Sequence, residues 1–236
     1  MHRHARSFGI AGWRPAHLDS GLPRSALSYP VRRSLDMFEG FFDGKHPRVL
    51  DVGCGNGSKL SCFKSLVGQA VGIDLPAEIA RFANRNLIRV AGSADSFLPF
   101  SDDSFDAVTN FHVIEHLWER DTAIDEMHRV LKPGGWLILI TPNRWRLTAL
   151  YSNLVLRSFR PDLPHPMNPD HTFEYTGRDL RLAFEKSQFS YWRVEATFLG
   201  LSASFGDRNY WIGFERVPAL VDRFCAEWLV VAQKQA

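Results

Sequence analysis

The chain has 236 residues, 45% of them hydrophobic and 13% aromatic, with a net charge of +2. That composition suits one large domain that folds around its own core. The start of the chain lacks the apolar run of a signal peptide, and no segment approaches the roughly 18 uncharged apolar residues of a membrane span, so a soluble, cytoplasmic protein is expected.

Cys54, Cys62 and Cys225 form no C-x-x-C pair, which argues against a disulfide framework or a thiolate zinc cluster. Charge is uneven. Residues 1–33 hold six arginines against Asp19, giving +5, while residues 34–236 carry −3. The expected organisation is a basic arm or lid over 1–33 and a single domain over 34–236. The arm could touch phosphate or anionic lipid, but a tail that folds over the domain is the commoner outcome, so nucleic acid is not the expected partner.

From residue 46, short apolar runs alternate with helix-length amphipathic segments, the pattern of a parallel sheet with crossover helices. The expected strands are 48–54 (RVLDVGC), 69–75 (QAVGIDL), LIRVAGS (87–93), 105–111 (FDAVTNF) and 136–143 (WLILITPN). Helices are expected over 57–67, over 76–86 behind Pro76, and over 119–135, ending at Pro133-Gly134. Residues 145–159 read as an amphipathic helix and 160–173 as a proline-rich loop. A further helix is expected over 176–189, with Thr176 and Asp179 spaced as a capping box. Two late strands, in 190–200 and 227–234, flank the aromatic stretch 204–224. The fold class is therefore α/β, a Rossmann-like doubly wound, seven-stranded and mostly parallel sheet.

The segment VLDVGCGNGSKL (49–60) carries the most chemistry. A buried strand breaks into Gly53-x-Gly55-x-Gly57 and then a helix, so bare backbone can approach a ligand. Asp74 ends the second strand, where a carboxylate can take the hydroxyls of a ribose. The G-x-G-x-G spacing departs from the G-x-G-x-x-G of dinucleotide sites, and Asp51 beside the loop suits an ammonium-bearing ligand better than a pyrophosphate.

Together these segments resemble the class I S-adenosylmethionine-dependent methyltransferases. VLDVGCGNG resembles that family's first motif, VGIDL its second, LPFSDDSFDAV the approach to its fourth strand, and MHRVLKPGGWLILITPN the helix and fifth strand. The resemblance covers roughly residues 46–189 and implies S-adenosyl-L-methionine as cofactor and an antiparallel seventh strand. It implies that Gly53, Cys54 and Gly55 line the methionine part, that Asp51 faces the amino group, and that Asp74, with Leu75 beside it, holds the ribose. An adenine contact is implied at Ser93, Ala94 or Asp95, of which Asp95 is favoured, and Phe111 and His112 are implied near the methyl donor.

The stretch HVIEH (112–116) has the H-x-x-E-H order of some zinc peptidases. A strand end followed by a turn is a poor place for the long helix such a site needs, and no third ligand stands out, so no metal is assigned. The segment after strand four in the resembled family commonly carries an E-H pair. In quinone-pathway O-methyltransferases, which this region resembles, an acidic residue, a glutamate and a histidine orient the acceptor through a divalent metal; His112 replaces the first of them here. His112 and His116 are instead candidate general bases, with His165 and His171 on the proline-rich loop as further ones. Packing of the loop explains all four equally.

The expected reaction is methyl transfer to a small molecule, at an oxygen of a quinone-like, lipid-linked or sugar-containing metabolite, under a cover formed by 145–173 and 204–224. Phe205, Tyr210, Trp211 and Phe214 in that cover suit a ring-shaped acceptor, helix packing or a homodimer interface. Methylation of tRNA or protein, and a non-catalytic regulatory subunit that binds the cofactor, are the alternatives.

Overall fold

The computed structural model describes residues 8–13, 29–81, 88–147, 149, 172–205, 208–214 and 217–236. In chain order the strands are β1 (Phe8–Trp13), β2 (Arg48–Val52), β3 (Gln69–Asp74), β4 (Ile88–Ala91), β5 (Phe105–Phe111), β6 (Leu131–Pro142), β7 (Tyr191–Ala196), β8 (Leu199–Phe205), β9 (Arg208–Phe214) and β10 (Glu227–Gln233). The helices are α1 (Tyr29–Phe42), α2 (Ser58–Ser61), α3 (Pro76–Arg81), α4 (Arg120–Val130) and α5 (Gly177–Lys186).

Seven strands form one sheet in the order β4-β3-β2-β5-β6-β10-β7. β2 is parallel to β3 and β5, and β6 to β5, while β10 runs antiparallel to both β6 and β7. This is the expected doubly wound sheet with its antiparallel seventh strand. Its order reverses at β2, so the ends of β2 and β5 flank the crevice where such sheets receive ligands.

Alternation along the central strands feeds two cores. Leu50, Val52, Val108, Leu137 and Leu139 face α4 and α5, joining Ile124, Met127, Leu180 and Phe184. Val49, Ala107, Phe111, Ile138 and Ile140 face the other side, with Leu35 and Phe38 of α1. Phe41 stacks on Trp136 with centroids 3.8 Å apart, fastening α1 to β6.

Several boundaries differ from expectation for local reasons. Helix α4 stops at Val130 rather than at Gly134, because Pro133 disfavours helical geometry at Lys132 and Leu131 pairs with Phe105 on β5. After α2 the chain tightens into i to i−3 hydrogen bonds from Cys62, Phe63, Lys64 and Leu66, so the helix expected to 67 is a single turn followed by narrower ones. α5 agrees with its signature: Thr176 Oγ1 accepts from the Asp179 amide at 3.2 Å, and Asp179 Oδ2 accepts from the Thr176 amide at 2.8 Å. The run 190–200 divides at Thr197-Phe198, where the chain leaves the main sheet.

The aromatic stretch holds a surprise. β8 and β9 pair antiparallel, and β1 adds to β9 with Phe8 opposite Phe214, forming a second sheet in the order β1-β9-β8. A strand from the basic arm thus lies against the segment expected to cover the acceptor. Most of 145–173 lies outside the described residues, as do His165 and His171.

Candidate functional site

The glycine loop follows β2 directly. Gly53, Gly55 and Gly57 have φ of 76°, 48° and 74°, left-handed geometry that side chains resist. A Cβ on Gly53 would collide with the Val113 side chain, whereas one on Gly55 would meet nothing within 4 Å. Gly53 is therefore demanded by packing. Gly55 borders open space.

The Gly53 and Cys54 amides donate to the Ile73 carbonyl at 2.8 and 3.1 Å, tying the loop to β3. Asp74 completes the tie: its Oδ2 accepts from the Gly55 amide at 2.6 Å and its Oδ1 from the Leu75 amide at 2.7 Å. Arg89 reaches across from β4 to donate to the carbonyls of Gly55 and Glu78 at 3.1 and 3.2 Å. Leu75 is exposed beside Asp74, offering an apolar face to a flat ligand. The Cys54 thiol is buried, and burial above all pushes its pKa up to about 12, so it is no nucleophile at neutral pH.

Asp51 lies beneath the loop, almost fully buried. Its Oδ1 accepts from Thr109 Oγ1 at 2.7 Å. Burial raises the carboxyl to about 6, opposed by the Thr109 hydrogen bond and the charge of Lys59. Asn110, also buried, donates to the Val52 carbonyl at 3.4 Å, while its Oδ1 has no partner among the described residues. A buried carboxylate and an orphaned amide oxygen beside the loop are acceptors suited to a cationic or N–H-bearing ligand.

The second half of the site is made by side chains at the ends of β5, β6 and β10. His112, with φ 59°, puts Nδ1 3.5 Å from Glu115 Oε1 and Nε2 3.3 Å from Glu227 Oε1. Burial and Lys59 push its pKa down, but the two carboxylates outweigh them and raise it to about 9. His112 is thus an imidazolium at neutral pH. Glu115 is completely buried, accepts from Thr141 Oγ1 at 3.0 Å, and is held below the usual carboxylate range because His112 overcomes its burial.

HVIEH is accordingly a turn. Ile114–His116 form a single 3₁₀ turn, with Ile114 and Glu115 buried and His116 exposed. The His112 and His116 rings do not share a helix face, and among the described residues no three His, Cys, Asp or Glu side chains are grouped to hold a metal ion. The turn is instead clamped by the segment before α5: Phe173 N–H donates to Glu115 O, Thr172 Oγ1 to His116 O and Tyr175 OH to Ile114 O. Exposed Trp118 and Phe173 meet edge to face, centroids 5.8 Å apart.

Asp95 is occupied elsewhere: Oδ1 accepts from the Trp118 and Glu119 amides at 2.8 and 3.1 Å, and Ser93 Oγ accepts from its amide. It ties the turn after β4 to the start of α4. Ala94 packs against the core. Phe111 is buried, and its carbonyl accepts from Lys59 Nζ at 2.9 Å.

Sequence reasoning did not single out Lys59, Thr109, Asn110, Thr141, Val113 or Glu227. Lys59 and Glu227 carried a usable sign, a lone charge just inside a buried element; the others look like ordinary strand or turn residues.

Residues 50–139 match the methyltransferase domain family. A probable S-adenosylmethionine-dependent methyltransferase of Mycolicibacterium smegmatis is 31% identical over 183 residues, covering 76% of this chain and 65% of that protein. A ubiquinone biosynthesis O-methyltransferase of Xanthomonas oryzae is 36% identical over 129 residues, 52% of this chain and 53% of that protein. The chain thus spans about half to two-thirds of the length of these relatives. The crystal structure of a SAM-dependent methyltransferase from Archaeoglobus fulgidus superposes with a TM-score of 0.60 at 20% identity, covering 86% of this chain and 92% of that one, which shows a shared fold.

Proposed function

We propose that this chain is a class I S-adenosylmethionine-dependent methyltransferase and that it methylates an oxygen of a small-molecule acceptor of quinone-like, lipid-linked or sugar-containing type. The observation that carries the reading is the junction of a backbone-built nucleoside cradle with a charged floor at the ends of β2 and β5. S-adenosylmethionine, when bound, supplies a sulfonium methyl group whose carbon is electrophilic.

The residues present fit that donor. Gly55 leaves room for it, and Asp74, tied to the loop by the Gly55 amide and held by the amide of its neighbour Leu75, is aligned for ribose hydroxyls. Asp51 and the unpartnered Asn110 Oδ1 suit an ammonium group. Leu75 offers an apolar face to the base. In this reading Asp95 serves the adenine pocket by fixing the turn that carries Ser93 and Ala94.

The acceptor side follows from charge. An imidazolium does not take a proton, so His112 acts through its charge, orienting Glu227 and balancing Glu115 across ion-pair contacts of 3.3 and 3.5 Å. Glu227, partly exposed, is the group we assign to receive the hydroxyl proton as the acceptor oxygen takes the methyl group and the carbon–sulfur bond breaks, leaving a neutral thioether. The Trp118–Phe173 pair, joined to the turn that carries His112, supplies an aromatic rim. Likeness to the O-methyltransferase of Xanthomonas oryzae supports an oxygen acceptor. The basic arm and the segments 145–173 and 204–224 complete the acceptor cover in this reading.

A tritium-transfer screen tests it, with catechols, hydroquinones, long-chain phenols and bulk tRNA offered in parallel. Label on a phenolic oxygen is the expected result. Label on tRNA alone would replace the reading with nucleic-acid methylation.

A further inference from the structure

Lys59 has no role in the account so far, and its surroundings are unusual. It sits on α2, two residues beyond Gly57, with its ammonium drawn inward to the carbonyl of Phe111 at the end of β5, 2.9 Å away. An ammonium has three donors. That bond is the only one the Lys59 ammonium makes among the described residues, and no carboxylate there lies in ion-pair contact with it. Asp51, Glu227 and Glu115 act on it only through their fields, while burial pushes its pKa down. A cation partly withdrawn from water without a paired anion is costly, and the cost is recovered when an anion arrives.

The neighbouring charge completes the pattern. Asp51, across the strand ends, spends one oxygen on Thr109 and has no arginine or lysine in ion-pair contact among the described residues. A buried acid and a half-buried base thus flank the glycine loop, near each other yet unpaired. A zwitterion matches both at once: its ammonium satisfies Asp51 and its carboxylate satisfies Lys59.

We propose that Lys59 binds the carboxylate of the methyl donor's amino-acid end and thereby positions the sulfonium methyl group toward the acceptor floor. The inference rests on the proposed donor site. It adds that the site reads the zwitterion with a side chain on each charge. The role is one of positioning: His112 and Glu227 lie beyond the Phe111 carbonyl to which Lys59 is tied, so the amino-acid end is anchored at the border between the two halves.

The test compares ligands that differ in that end. S-Adenosylhomocysteine carries both charges, decarboxylated S-adenosylmethionine keeps only the amine, and methylthioadenosine lacks both. Titration calorimetry on the full chain and on Lys59→Met is expected to show adenosylhomocysteine weakened about tenfold to a hundredfold, the range for one charge-assisted hydrogen bond. The other two ligands should change by less than about twofold. Lys59→Arg should restore most of the loss.

Equal weakening of all three ligands would mean that Lys59 only supports the fold, and would overturn the proposal. Tighter binding in Lys59→Met would overturn it too, since Lys59 would then be a competitor for Asp51. If Lys59→Met does not fold, the wild-type protein decides alone: S-adenosylmethionine should surpass its decarboxylated form, which differs only in the carboxylate, by about tenfold or more, and near-equality contradicts the proposal. Failure of the wild type to bind any of the three would instead refute the donor site on which the inference stands. A carboxylate contributed by the acceptor rather than the donor would leave all three ligands unaffected by Lys59→Met, and would contradict the assignment as stated.

Discussion

The two halves of the site are built in opposite ways. Around β2 and β3 the ligand meets backbone: three glycines in left-handed geometry, two loop amides on the Ile73 carbonyl, and one carboxylate, Asp74, that closes the loop. Around β5, β6 and β10 the proposed site is built from side chains: His112 and Glu227, backed by the fully buried Glu115 and Thr141, linked in a chain of contacts from 3.0 to 3.5 Å. Backbone is the same whatever the substrate, so the first half suits a fixed donor. Side chains vary without disturbing the sheet, so the second half suits acceptor choice. The halves should therefore fail differently when broken.

The largest effect belongs to Glu115. Glu115→Ala removes a buried carboxylate that balances His112 and engages Thr141, and should cost about 3–5 kcal/mol of stability, read as a lower urea midpoint. Retention of the wild-type midpoint would mean that the side-chain half does not depend on this pair. Asp74→Ala should leave the midpoint nearly unchanged but weaken adenosylhomocysteine by about a hundredfold, because it both frees the loop and removes the ribose acceptor. A loss of stability without loss of affinity would reverse the contrast between the halves.

Two glycine changes sharpen it further. Gly53→Ala drives a methyl group into Val113 and should lower stability by about 1–3 kcal/mol, whereas Gly55→Ala, facing open space, should cost only about 1–2 kcal/mol of left-handed strain and act mainly on ligand affinity. Equal stability losses would show that Gly55 is a packing glycine too.

The remaining effects are in pH. The His112 imidazole should titrate near 9, and in Glu227→Gln its midpoint should move down toward the ordinary value of about 6.5, as followed by ring-proton NMR. Because its folded pKa is raised, its contribution to stability is complete below about 6.5 and disappears as pH rises through 9. A wild-type midpoint near 6.5 would remove the imidazolium and return His112 to the role of base. Asp51 works in the opposite range: with its carboxyl raised to about 6, donor affinity should fall as pH drops below 6, where the ammonium loses its ionised partner.

The same contrast governs what could be read from the sequence. The cradle is local. Asp51, Gly53, Gly55 and Gly57 lie within seven residues, and Asp74 follows at the end of the next strand, so spacing alone locates it. The main sheet was legible for a similar reason, since each strand is a short buried run between turn residues. The floor is not local: His112 meets Glu227 across 115 positions, and their pairing depends on β10 inserting antiparallel beside β6. No periodicity announces that. HVIEH reads as a metal motif only on a helix; the turn expected after the strand end is present, since His112 adopts φ 59° and Ile114–His116 form a single 3₁₀ turn. The small sheet β1-β9-β8 was missed because β1 lies in an arm judged by its charge, and because Gly206-Asp207, a two-residue hairpin sequence, was read as part of an aromatic cover.

The central claim is that the glycine loop and Asp74 form a nucleoside site for S-adenosylmethionine, and the most direct test is calorimetric titration with S-adenosylmethionine, S-adenosylhomocysteine and NAD, beside Asp74→Ala. The account predicts that the first two bind, that NAD does not, and that Asp74→Ala abolishes or strongly weakens binding. Preference for NAD, binding of none of the three, or undiminished binding by Asp74→Ala would contradict it.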